Sequence, residues 1–227
     1  MNRIQSVMKM HFRDKTMWII TPWYIIAASF IINLILGYMI NEKESFQTGS
    51  IVSIFIYTFI IGTVTLKETF PFALGLSVRR TDYFVGTVAT AVAVNAISSL
   101  ALILLSVIEK ATNGWGVRLH YFQLEFLKGF SLVGVLGIYL IFLLHLYFLG
   151  LAISSLHRRF GRNGMYAFFT AVFLIGIISS FLITHFQYWT YISKWFVHHY
   201  MDLFWWQIPA IVCYLIVSYA LLRKAEA

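Results

Sequence analysis

Charge is what this chain has least of. Only 11% of its 227 residues are Asp, Glu, Lys or Arg, where soluble domains carry about 25%. With 60% hydrophobic and 18% aromatic residues and a mean hydropathy of +0.79, the shortage excludes an ordinary soluble domain and reads as an integral membrane protein. At this length, residues 1–227 are expected to form one membrane domain, with no room among them for a further soluble domain of ordinary size. Cysteine is nearly absent too. Cys213 stands alone, which rules out an intrachain disulfide and a Cys-rich metal site. The common catalytic signatures are also missing. No Gly-Lys dipeptide occurs, so no Walker A phosphate loop exists, and any ATP-driven work belongs to another chain. No His precedes a Glu, which removes H-E-x-x-H zinc chemistry. Gly75-Leu76-Ser77 runs on into Val78-Arg79 and makes no nucleophile elbow. His145 and His185 fall at different depths, which speaks against paired haem ligation. His198 and His199 are adjacent and make no metal site by themselves. The expectation is a non-catalytic chain with no cofactor and no metal.

What is present is a series of apolar runs. Crossing about 30 Å of hydrocarbon takes about 17–25 residues, and six runs qualify: 17–40, 50–66, 83–108, 130–156, 165–185 and 206–222. The expected fold is therefore an all-α membrane bundle of six spans. The first run is long and lacks a small-residue cleavage pattern, which fits a retained span better than a removed signal peptide. Twelve of the seventeen Lys and Arg residues fall on one side of this arrangement, in residues 1–16, 67–82, 157–164 and 223–227. The other five are Lys43, Lys110, Arg118, Lys128 and Lys194. By the positive-inside rule both termini are expected in the cytoplasm of a multi-pass cell-membrane protein. The net charge of +8 then faces anionic lipid and cytosolic partners, so it needs no nucleic acid to explain it.

Three segments outside the runs have their own character. Residues 2–16 place Ile4, Val7, Met8, His11 and Phe12 on one helical face, the pattern of a helix lying in the interface. Residues 186–206 hold ten aromatics, more than an aromatic belt needs. Two readings stand for them: a re-entrant segment before the sixth span, or a loop lying flat on the membrane. The third segment is KETFPFALGLSVRRTDYFVGT, Lys67–Thr87. A solvated connection needs neither Phe72 nor Leu76, and a span does not easily carry Arg79, Arg80 and Asp82. With Pro71 in a first helical turn, a short helix across the inner surface is expected, pressing an apolar face and two charges onto a soluble partner.

Within the spans, Asn95 and His145 are the polar residues to weigh, because hydrogen-bonding groups are costly in lipid. They mark either a substrate path or plain interhelical hydrogen bonds worth about 0.6–2 kcal/mol each. No Asp or Glu falls inside a run, which weakens a proton-coupled mechanism.

The order of amphipathic N-terminal helix, six spans, cytosolic helix between spans two and three, and aromatic segment before span six resembles the permease subunits of type-2 ABC exporters. The words FPFALGLSVRRTDYFVGT carry most of the likeness, and NGWGV (Asn113–Val117) adds a fainter trace. The resemblance implies a cytosolic ATPase subunit as partner, coupled through Phe72, Leu76, Arg79, Arg80 and Asp82. The loop Leu156–Gly164 would be a lesser contact. It also implies a second permease copy or paralogue as homo- or heterodimer, and an amphipathic or hydrophobic cargo such as a peptide, lipid or drug. The competing expectation is a non-transport membrane protein that binds peptide, an immunity or sensor subunit, and needs no ATP.

Overall fold

A computed structural model of the chain describes residues 3–40, 46–124, 127 and 129–223. Asn2 of the N-terminal helix, and Glu42, Lys43, Glu44, Glu125, Lys128, Lys224 and Glu226 of the charge distribution, lie outside the described residues. The protein is all-α. Four helices are long and apolar enough to cross a membrane: Thr16–Met39, Val52–Gly75, Arg80–Ala111 and Leu132–His185. A shorter apolar helix, Gln207–Arg223, follows.

The chain opens with helix α1 (Arg3–Arg13), which buries Val7 and His11. Asp14 ends it and accepts the Met17 N–H through its carboxylate (3.2 Å). This starts a π-helical turn, Thr16–Ile20, that passes directly into α2 (Thr21–Ile40). Helix α3 (Val52–Gly75) contains Pro71, so the expected separate helix opening at Pro71 is corrected. A proline near the end of a helix forfeits one backbone hydrogen bond, and here the helix continues past it. What stops α3 is Ser77 in the left-handed region (φ 57). The Val78 N–H donates to the Ala73 carbonyl (3.1 Å) and the Ser77 N–H to that of Leu74 (2.9 Å), which is a Schellman closure. Arg79 is extended, and α4 (Arg80–Ala111) begins at once. The stretch between the second and third apolar runs is thus a helix end, a tight turn and a helix start.

Helix α5 (Leu132–His185) spans 54 residues, about 80 Å at 1.5 Å per residue, well beyond a bilayer core. It breaks at Gly161 (φ 65, ψ −166), a conformation open essentially to glycine alone. Helix lies on both sides of that break, and it begins at Leu132, two residues into the run expected at 130–156. Helix α6 (Trp189–Trp205) occupies the aromatic segment, with His199 off helical geometry, and α7 (Gln207–Arg223) follows.

Where hydrophobic burial is no driving force, helices associate through close packing and hydrogen bonds. Helices α3 and α5 do so at paired glycines. A Cβ on Gly62 would collide with the Tyr147 carbonyl, and one on Gly150 with the Phe59 carbonyl. The same two helices run side by side in one direction. Phe55 meets Tyr139 (6.4 Å between rings), the Tyr147 hydroxyl reaches Thr65 Oγ1 (3.5 Å), and the Arg158 guanidinium lies 4.6 Å over the Phe70 ring. At that same end, Val7 of α1 nests against Gly86 of α4, Phe84 meets Tyr219 of α7 (5.4 Å), and Arg80 donates to the Arg223 carbonyl (3.0 Å). Arg80, Arg158 and Arg223 therefore gather at one pole, the basic end. The opposite end holds a second buried cluster around Ile51, Leu102, Leu119, Tyr121, Phe122 and Tyr139. It includes a two-residue parallel ladder, β1 (Phe46–Gln47) with β2 (Leu119–His120).

Candidate functional site

At the basic end, α1 lies on α4 and leaves a cavity of about 630 Å³ against the end of α3. Val7, Met10 and Arg13 line one wall, Phe72 and Leu76 the other, with Glu68 and Asp14 at the charged margin. Phe72 is 59% exposed and Leu76 62%, although both stand among charged residues. Chain geometry explains the exposure. Ala73 and Phe70 take the inward face of the last α3 turns, which leaves Phe72 and Leu76 on the outward face.

At the same end a polar and aromatic chain joins four helices, and its Thr69 also lines the cavity. His11 Nε2 shares a hydrogen bond with Thr87 Oγ1 (3.0 Å). The His11 ring stands edge-on to Trp18 (5.2 Å) and tilted to Tyr83 (6.0 Å). Burial pushes the His11 imidazole down to about 4, against a small opposing pull from Asp14. Tyr83 hydrogen-bonds Thr69 of α3 (2.6 Å) and packs edge-on against Phe70 (5.1 Å), which carries the Arg158 guanidinium of α5. These contacts tie α1 and the end of α3 to α4 and α5.

The residues named from the sequence fall into distinct places. Phe72 and Leu76 share the cavity. Arg79 is exposed at the turn. Arg80, expected to face a partner, is tied to the carboxyl end of α7. Asp82 lies in the first turn of α4, where a carboxylate is favoured by the helix dipole. Asn95 is buried and spends its amide on the Ala91 carbonyl of its own helix (2.8 Å). His145 faces Tyr214 of α7 edge-on (5.4 Å) and keeps Nδ1 buried without a partner among the described residues. No contact joins Asn95 to His145 among the hydrogen bonds and ring pairs of the described residues.

One buried charge escaped the sequence reading. Helix α4 continues past residue 108 and carries Glu109, fully buried, in its last turns. A carboxylate there opposes the helix dipole, and the following loop compensates. Glu109 Oε2 accepts the backbone N–H groups of Tyr121 (3.0 Å) and Phe122 (2.8 Å) and the Trp115 indole (3.3 Å). Oε1 accepts the Gln123 N–H (3.2 Å) and lies 3.4 Å from His120 Nδ1. The loop can reach because Asn113, Trp115, Gly116 and Arg118 all take positive φ. The words Asn113–Val117 were the visible signal, and their function is to fold that loop back over the acid. Among the described residues no group of His, Cys, Asp and Glu could hold a metal ion.

Fold and site together define an all-α chain with apolar helices of membrane-spanning length and an apolar cavity at its basic pole. The chain matches no family model, no curated protein and no solved structure. Its function must therefore be argued from its own residues.

Proposed function

We propose that the chain is the transmembrane subunit of an ATP-driven exporter of the type-2 ABC class, energised by a separate cytosolic ATPase and working as a pair of permeases. The carrying observation is the cavity between α1 and the end of α3, where Phe72 and Leu76 stand exposed beside Arg13, Lys9 and Glu68. Lipid tails do not suit those charges and water does not suit those side chains, so a soluble partner that brings an apolar anchor and charge is the fitting occupant. In this reading Leu132–His185 crosses twice, once on either side of Gly161, and Gln207–Arg223 supplies the sixth crossing. With the basic end inside, both termini are cytoplasmic.

The work is a population shift. ATP binding reshapes the partner, which displaces α1 and the α3 end, and the His11–Thr87 and Tyr83–Thr69 contacts carry that motion to α4. The cargo class that suits so apolar a bundle is amphipathic or hydrophobic. Of the coupling residues that the resemblance implies, this reading rests on Phe72 and Leu76, which share the cavity, rather than on Arg80, which is engaged by α7.

The test is extraction of tagged protein in mild detergent and mass spectrometry of what co-purifies. Expected is a stoichiometric soluble protein with a Walker A sequence, retained by R80A and lost on the double replacement F72S/L76S. Recovery of well-folded protein without any ATPase would refute the exporter reading and favour a non-transport peptide binder.

A further inference from the structure

Helix α6 leaves most of its aromatic residues uncovered. Trp195, Trp205 and Trp206 are 42%, 60% and 70% exposed, a large area to leave open without a purpose. They are not scattered. Trp195, His199, Asp202, Trp205, Trp206 and Pro209 line one cavity of about 550 Å³ where α6 passes into α7. Trp195, His199 and Asp202 stand on neighbouring turns of α6 on either side of its kink at His199, and Trp206 caps its end. The His199 ring stacks on the Trp195 indole (4.9 Å, 17° between planes), and its Nδ1 is held by the Trp195 carbonyl (2.9 Å). That holds one wall in place.

The chemistry of such a cavity is one-sided. Indole faces are negative and attract cations within about 6 Å of the ring. Asp202 adds a full negative charge to the same lining. An anion is repelled by both features, and a neutral apolar ligand gains nothing from the carboxylate. A small, weakly hydrated organic cation suits both the indoles and the carboxylate of this lining, and the volume lies within the ordinary range of ligand sites. Tryptophans gathered at headgroup level explain indoles near an interface, but they do not explain a carboxylate set among three of them.

We propose that the α6–α7 cavity binds an alkylammonium group, through cation–π contact with Trp195, Trp205 and Trp206 and charge pairing with Asp202. The ammonium can arrive on a lipid headgroup or on a water-borne cation. The inference does not rest on the exporter reading, and either can fail alone.

The test uses the full chain in dodecyl maltoside at pH 8, titrated with tetramethylammonium chloride and followed by calorimetry. Sodium chloride at matched ionic strength and neopentyl alcohol, the neutral isostere, serve as controls. Saturable binding of tetramethylammonium alone is expected. D202N should weaken it about tenfold, and Trp→Leu at 195, 205 or 206 about threefold each. D202E should restore most of the loss, which separates a lost charge from a damaged fold. Equal responses to neopentyl alcohol, or D202N binding as the parent does, would overturn the proposal. Nanodiscs then distinguish the sources. Phosphatidylcholine discs that block tetramethylammonium while phosphatidylglycerol discs admit it support the headgroup, and equal binding in both supports the water-borne cation.

Discussion

Replacing Glu109 by Gln keeps the size of the side chain and removes its charge. In the parent, two oxygens accept three backbone N–H groups and one indole N–H. Glutamine offers one oxygen. If it keeps the Oε2 contacts to Tyr121, Phe122 and Trp115, its NH₂ faces the Gln123 N–H, donor against donor. A buried N–H left unmade costs about 1–3 kcal/mol, and each retained bond loses the extra strength that a charged acceptor confers. The sum, softened by local relaxation, is about 3 kcal/mol, or roughly a hundredfold in the equilibrium for opening the loop. Hydrogen exchange read by mass spectrometry should then show amides 121–123 exchanging about a hundredfold faster in E109Q, with helix α3 unchanged. Exchange at 121–123 equal to the parent would refute the idea that the acid holds the loop. Acceleration spread evenly over all helices would refute the claim that its action is local.

Two further perturbations probe the packing. His11 is neutral when α1 is docked, because burial holds it at about 4, and it titrates near its ordinary 6.5 when α1 is released. The released state binds more protons between those values, so docking is full above pH 6.5, weakens as the pH falls and levels off below about 4. At pH 5 the loss is about 2 kcal/mol. Exchange of amides 5–13, corrected for intrinsic rate, should rise on acidification in the parent and stay flat in H11Q, and an equal rise in both would refute the assignment. Gly150→Ala drives a Cβ into the Phe59 carbonyl, closer than backbone allows, and crowds the Thr63 nitrogen. Destabilisation of about 2–3 kcal/mol is expected, read as a lower thermal midpoint in detergent, whereas Gly137→Ala, with open space around it, should lower it little.

Much of the helical layout was legible because a bilayer demands long apolar runs, and composition alone reveals them. The turn at 76–79 was misplaced for a local reason. Pro71 matches a helix start by propensity, but the chain ends its helix where Ser77 can take a left-handed angle and free carbonyls can be closed by Ser77 and Val78. The amphipathic face with Val7 and His11 was visible too. Its destination was not, since lying on α4 depends on Gly86 having no side chain 76 or more residues away in sequence. Glu109 was passed over because it sits one residue beyond the apolar run, and only the returning loop turns it into a buried charge. The aromatic wealth of 186–206 was plain, but three indoles and a carboxylate become one cavity only when α6 is a helix that passes into α7.

By itself the sequence determined that the chain is helical, apolar and charged mainly at one set of connections, because these follow from composition and from the length of each run. It also excluded the common nucleotide, zinc and serine-hydrolase signatures, which need particular residues at particular spacings. Tertiary structure alone decided which polar groups are satisfied at home and which remain available. Arg80 and Asn95 found partners within the chain, whereas Phe72, Leu76 and the three tryptophans stayed exposed. The physical reason is that availability is a property of distance between segments, and one-dimensional pattern carries the period of a helix but not the helix it meets.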